Sequence, residues 1–242
     1  MRMTILAAVA ACTMPPAAVM AQDAANYHDK TPAAEPQTTV SDSPKLSFGL
    51  SAATDYVWRG VSQSANHAAV FATANVAYKG FYAGAGTENV DFLGIDQEYD
   101  LWGGYVLNLG AAKVDAGFVR YGYVDSPVKI DTLEGKLALT VPVSKGSVTA
   151  SAYYTGDYFG SGNPALYAEL SGNYPLIDKL SVHAAVGHQQ ISHVSGDYTT
   201  WNARLSYRVL SGATASAGYY DTDRARNRLS RARVVGSLAI SF

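Results

Sequence analysis

The chain has 242 residues, a formal charge of −2 and 48% hydrophobic side chains. Such a balance of Lys and Arg against Asp and Glu leaves no basic footprint for nucleic acid. Beyond the first residues no apolar run approaches the ~20 residues of a membrane helix, so a mature chain that enters a bilayer must do so as strands.

The N-terminus reads as an export signal over residues 1–21. Arg2 is followed by an apolar run from Ile5 to Met14, and Val19, Met20 and Ala21 form a small-residue cleavage pattern before Gln22. Val9 to Cys12 is similar to a lipoprotein cleavage box, but it follows too stunted an apolar core to be preferred. Cleavage after Ala21 removes the single Cys and all four Met. It also removes one Arg and no acid, taking the formal charge from −2 to −3. The mature chain then has no thiol chemistry, no disulfide and no Cys-based metal site. Residues 22–45, rich in Ala, Thr, Asp and Pro, lack a sustained period and read as a flexible periplasmic tether.

From Leu46 onward one theme repeats: about ten residues of period-2 alternation, a short turn, a second such run, then a longer polar loop. In the first run Leu46, Phe48, Leu50, Ala52, Thr54, Tyr56 and Trp58 share a face opposite Ser47, Gly49, Ser51, Asp55 and Arg59. A loop over residues 60–67 leads to a return strand that ends at Lys79-Gly80. An acidic loop is expected over residues 89–96, followed by turns near Leu109 to Ala112, Lys145-Gly146, Pro175 to Lys179 and Ser211-Gly212. The final strand, Arg231 to Phe242, places Val234, Leu238 and Ile240 on its apolar face and Arg231 and Arg233 on the other.

This pattern predicts an all-β fold, a transmembrane antiparallel up-and-down β-barrel of about 12 strands spanning residues 46–242. An even strand number puts both termini and every short turn at one end, which in an outer-membrane barrel faces the periplasm. A soluble sandwich is the competing fold. Against it, the apolar rows carry Ala, Leu, Val and Gly at their centres and aromatics at their ends, as two interfacial girdles would. Tyr78, Phe81, Tyr174, Tyr207 and Phe242 form the turn-side girdle; Tyr56, Trp58, Tyr99, Tyr154, Trp201 and Tyr219 form the other. Arg120 is the nearest charge to the lipid face, close enough to a loop to snorkel.

The inward rows define the candidate pore lining: Asp55, Arg59, Glu88, Glu98, Asp100, Lys113, Asp115, Glu134, Lys136, Glu169, His183, Arg204, Arg208, Arg231 and Arg233. Charges imply a wet interior, and interleaved glycines such as Gly84, Gly104, Gly117 and Gly187 leave it room. Twelve strands lie between filled and open barrels, so both a narrow pore and a plugged one are consistent with the pattern. Acids around residues 88–100 and arginines around 224–233 either set a transverse field or are solvated loop charges. Pairing Leu46 with Phe242 would set Asp55 opposite Arg233.

Enzyme signals are weak. His183 has Ser181 and Ser206 as candidate neighbours but no spacing for a nucleophile, base and orienter, so no catalytic residues are expected. His188, His193 and Asp197 share a loop and read as solvated, and neither a metal nor another cofactor is expected.

The stretch Thr54 to Ser64 (TDYVWRGVSQS) resembles the signature opening of the TorF-family porins. Gly80 to Gly84, Asp100 to Tyr105 and the last strand match that pattern too, so the resemblance covers roughly residues 46–242. It implies an outer-membrane channel and supplies no catalytic residues or substrate. Arg59, with Asp55 below it, is the expected constriction pair; alternatively the two only pin the first loop. The expected function is passive diffusion of small polar solutes, with a closed structural or adhesive barrel and an outer-membrane hydrolase as alternatives. Expected partners are outer-membrane lipids and the barrel-insertion machinery, for which the terminal aromatic Phe242 resembles an assembly signal. Oligomeric state is not legible.

Overall fold

The computed structural model describes residues 43–224 and 226–242. The expected signal at 1–21 and nearly all of the tether at 22–45 lie outside the described residues. Among the described residues there are fourteen strands: β1 (Lys45–Ala53), β2 (Val57–Trp58), β3 (Val61–Ser62), β4 (Ala69–Tyr78), β5 (Phe81–Phe92), β6 (Ile95–Leu109) and β7 (Ala112–Tyr123) come first. They are followed by β8 (Thr132–Val143), β9 (Gly146–Thr155), β10 (Ala165–Ile177), β11 (Leu180–Ile191), β12 (Tyr198–Leu210), β13 (Ala213–Thr222) and β14 (Arg233–Ser241). All but β2 and β3 form one closed antiparallel barrel of twelve strands. Closure leaves no unpaired edge, which is what a sheet in hydrocarbon requires.

The seam joins β1 to β14, with Gly49 opposite Ser241 and Ala53 opposite Ser237. That register is offset by two residues from the Leu46–Phe242 pairing, so every side chain keeps its expected face. Phe242 completes the seam by exchanging backbone hydrogen bonds with Phe48 at 3.0 and 3.2 Å. The start of β1, Phe242 and five two-residue turns lie at one end of the barrel; at the other end the connections are longer, except for a two-residue turn between β5 and β6.

Alternation explains what faces the bilayer. Leu46, Phe48, Val70, Phe81, Leu133, Leu137, Leu170, Leu205, Val234 and Leu238 are exposed large apolar side chains on the outer rows. Such a surface would drive aggregation in water and is stable against lipid. Arg120 does lie on an outer row, yet it is paired with Asp131 at 2.6 Å and bonded to the Tyr99 hydroxyl at 2.9 Å. A charge at the lipid boundary is thereby partly neutralised.

Two expectations fail. The first strand stops at Ala53, and Tyr56 and Trp58 do not join the girdle; they turn inward and are fully buried. The acidic loop expected at 89–96 is instead the continuation of β5 and β6, joined by a tight turn at Leu93-Gly94. Both residues have positive φ, 53° and 76°, the geometry of a two-residue hairpin.

Leu137 sits mid-strand on the lipid face. Leu137→Arg is therefore expected to destabilise the barrel by about 2–4 kcal/mol in urea unfolding from vesicles. The inward neighbour change Ala138→Ser should be nearly neutral.

Candidate functional site

Twelve strands about 4.8 Å apart and tilted by ~40° give a backbone radius of about 12 Å, too wide for wall side chains alone to fill. The chain fills one half of this lumen with its own first long loop. After Ala53 the backbone leaves the wall, and β2 and β3 form a miniature hairpin in which Trp58 opposes Val61. Its turn residues, Arg59 and Gly60, have φ of 43° and 80°. Two successive positive φ values make a type I′ turn, which glycine adopts freely and arginine only at a cost of about 1–2 kcal/mol.

The rest of the loop is held by polar contacts that use nearly every residue of the Thr54 to Ser64 stretch. Asp55 accepts hydrogen bonds from Ser62 Oγ at 2.6 Å and from Arg233 at 2.8 Å. Ser64 Oγ accepts the Tyr56 N–H at 2.9 Å, and the Gln63 N–H donates to the Tyr56 carbonyl at 2.7 Å. Arg233 also bonds Asn66 at 2.7 Å. Asp55 and Arg233 thus meet, although their strands are not in the register expected, because the guanidinium spans the gap.

Arg59 is the point on which the inserted hairpin converges. One terminal nitrogen donates to Glu134 Oε2 on β8 at 2.7 Å, and the other to Gln189 Oε1 on β11 at 2.5 Å. Its guanidinium lies 4.3 Å from the Trp58 ring centre and 4.2 Å from that of Tyr167 on β10. Both side chains of the ion pair are essentially inaccessible, at 0% and 1%. Burial opposes the arginine charge, but Glu134, followed by the oxygens of Tyr121, Tyr158 and Tyr167, outweighs it and raises the pKa. Arg59 is therefore permanently cationic. Around it Trp58, Tyr121, Tyr123 and Phe159 pack edge to face or tilted, Trp58 with Phe159 at 5.8 Å. Phe159 comes from a single 3-10 turn, Tyr158–Gly160, in the loop between β9 and β10.

The half of the lumen nearer the short turns is different. Lys136 meets Asp115 at 2.7 Å, Tyr82 donates to the same carboxylate at 2.7 Å, and Trp102 donates to Asn75 at 3.1 Å. Thr140 with Thr149 and Ser206 with Ser216 continue a polar, part-buried wall. The glycines here do not widen the lumen as expected. They make room for aromatic rings lying flat on the wall: a Cβ at Gly84 would fall 2.4 Å from the Trp102 ring, and one at Gly187 would fall 2.1 Å from the Tyr167 hydroxyl.

Of the predicted lining, Asp55, Arg59, Glu88, Glu98, Asp100, Glu134, His183 and Arg204 are buried inside the barrel. Lys113, Asp115, Lys136, Glu169 and Arg233 are half-buried on inward rows, whereas Arg208 and Arg231 are exposed near the two rims. The Asp55–Arg59 constriction pair does not form; each has taken a different partner across the barrel. Among the acids around residue 90, Glu88, Glu98 and Asp100 turn inward together, while Asp91 and Asp96 stay exposed. His183 shares a hydrogen bond with Asn173 at 3.3 Å, and Asp197 accepts the Ile191 N–H at 2.9 Å. Tyr56, Trp58, Tyr153, Tyr167 and Gln189 belong to the site and were not singled out as lumen residues. Tyr153, Tyr167 and Gln189 sit on inward rows, and the inward alternation alone could have placed them.

A closed twelve-stranded barrel with an apolar outer face and a polar lumen into which a loop folds is a transmembrane barrel of porin architecture. The chain belongs to the family described as "Bacterial protein of unknown function (Gcw_chp)", whose sequence pattern matches residues 37–239. Among solved structures it is similar to the NanC porin, with 12% identity, 82% of this chain and 99% of that chain covered, and a TM-score of 0.58. It is also similar to the KdgM porin, at 10% identity, 81% and 98% coverage and a TM-score of 0.57. At these identities the likeness is one of fold. No curated protein matches in sequence.

Replacing Arg59 by Ala would leave Glu134 buried without its partner, a loss expected at about 3–5 kcal/mol. Arg59→Lys should fall between, since an ammonium cannot reach both Glu134 and Gln189. Gly60→Ala should also destabilise, because the new Cβ would lie 2.4 Å from Thr200 and Thr222 side-chain atoms. Equilibrium unfolding in lipid vesicles reads all three.

Proposed function

We propose that the protein is an outer-membrane channel for small polar solutes whose outward-facing half is closed by the hairpin around Arg59, and which conducts when that hairpin withdraws. The observation that carries this reading is the contrast between the two halves of one lumen. The turn side is polar and part-exposed; the other side is sealed by a short segment tethered at both ends and held by two ion pairs, Arg59–Glu134 and Asp55–Arg233, and a set of hydrogen bonds. A permanent wall would come from the barrel strands themselves, whereas a loop can leave. The export signal expected at 1–21 and the resemblance of Thr54 to Ser64 to the TorF-family porins support an outer-membrane setting in a Gram-negative bacterium. In this orientation the five short turns near the start of β1, together with Phe242, face the periplasm.

A second reading, a closed structural or adhesive barrel acting through its loops, draws support from the packing. Tyr56, Trp58, Tyr121, Tyr158 and Tyr198 are at most 1% exposed, as in a globular core. Planar-bilayer recording separates the two. Wild-type protein is expected to give infrequent, small steps, and both Glu134→Gln and a deletion of residues 57–66 should raise the open fraction. A deletion variant that folds and inserts but never conducts would exclude the channel and favour the closed barrel.

A further inference from the structure

Three carboxylates meet on one patch of the inner wall. Glu88 on β5 and Glu98 on β6 are register partners, and Asp100 lies two residues further along β6 on the same face. One oxygen of each lies within 4.8 Å of the other two, so a single ion can touch all three. All are buried, at 5%, 0% and 1% exposure. Like charges placed directly opposite in an antiparallel pair destabilise the sheet, and buried carboxylates require a counter-charge or a proton.

Three of the lumen cations pair with other acids: Arg59 with Glu134, Arg233 with Asp55 and Lys136 with Asp115. Glu98 Oε1 accepts a hydrogen bond from the Tyr56 hydroxyl at 3.3 Å, while Glu98 Oε2 and Asp100 Oδ1 have no donor. A second observation lies on the neighbouring strand. Tyr123 on β7 is the register partner of Glu98, and its buried hydroxyl has no hydrogen-bond partner while Glu98 and Asp100 are its dominant charged neighbours. A carboxylate cluster with unpartnered oxygens and an unpartnered hydroxyl facing it has the composition of a hard-cation site.

We propose that Glu88, Glu98 and Asp100 bind one divalent cation of the calcium class, with Tyr123 bonding a water that completes the ion's shell. Oxygen-only ligands disfavour zinc and the softer transition metals. Magnesium sheds its water reluctantly and is seldom held by an all-protein cage, whereas calcium accepts several carboxylates in flexible geometry. Because Tyr56 of the inserted loop donates to Glu98, the ion also sits beneath the plug and braces it. The proposal does not depend on conduction.

The test is calorimetric titration of calcium chloride into the EDTA-treated, detergent-folded full chain, with parallel thermal unfolding. Wild type should bind one calcium per chain and gain in Tm. Glu98→Gln/Asp100→Asn should weaken binding by at least roughly tenfold, since affinity follows the charge of the ligands, and lose the Tm gain. Asp100→Asn alone serves if the double variant folds poorly, and should weaken binding while keeping the barrel. No calcium uptake at millimolar concentration would overturn the site and leave the cluster neutralised by protons. Equal binding by wild type and variants would place any ion elsewhere and overturn it as well.

Discussion

A guanidinium in the middle of a barrel is tolerable only if its charge is met, and the Arg59–Glu134 pair meets it. The remainder of the inserted loop follows from that constraint. The hairpin must turn sharply enough to present Arg59 to β8 and β11, so its second turn residue is a glycine pressed against Thr200 and Thr222. It must also be anchored where it leaves the wall, and Asp55 does this by gathering Ser62 and Arg233. The aromatic rings around the cation shield it from water and add cation–π attraction from Trp58 and Tyr167. The strained backbone of Arg59 in the tip is stabilised by this surrounding network.

The barrel itself was legible from the sequence because lipid on one side and a polar lumen on the other impose a period of two on every strand. The strand number and the outward apolar rows follow from that. What alternation cannot report is where a strand leaves the wall. Leu46 to Trp58 keeps its period to the end, yet only the part up to Ala53 stays in the barrel. A polar break at Thr54-Asp55 followed by an Arg-Gly pair was the available signal, and Tyr56 and Trp58 disguised it by resembling girdle aromatics. Density of charge misled in the opposite sense between Asn89 and Asp96. Those acids looked like a solvated loop, although Val90 and Phe92 continue the inward row of β5 and only Leu93-Gly94 turns.

The interior was legible by face but not by partner. Inward rows singled out the charged residues of one face, and eight of them are buried. Their pairings depend on reach across the barrel, which linear spacing does not encode: Asp55 finds Arg233 and Arg59 finds Glu134, 178 and 75 residues apart. The metal signal was silent for the same reason, since Glu88 and Glu98 come together only through strand register. Wall glycines carried the reverse lesson, as the missing Cβ at Gly84, Gly104 and Gly187 is taken up by the rings of Trp102, Tyr82 and Tyr167.

The most direct test of the account is a double-mutant cycle between Arg59 and Glu134, using Arg59→Ala, Glu134→Ala and the double variant, with unfolding free energies measured in lipid vesicles. If the first loop folds into the lumen through this contact, the two residues are coupled by about 2–3 kcal/mol, as contacting charged groups are. Additive effects, with a coupling near zero, would show that the pair is not made and that the loop does not close the barrel in this way.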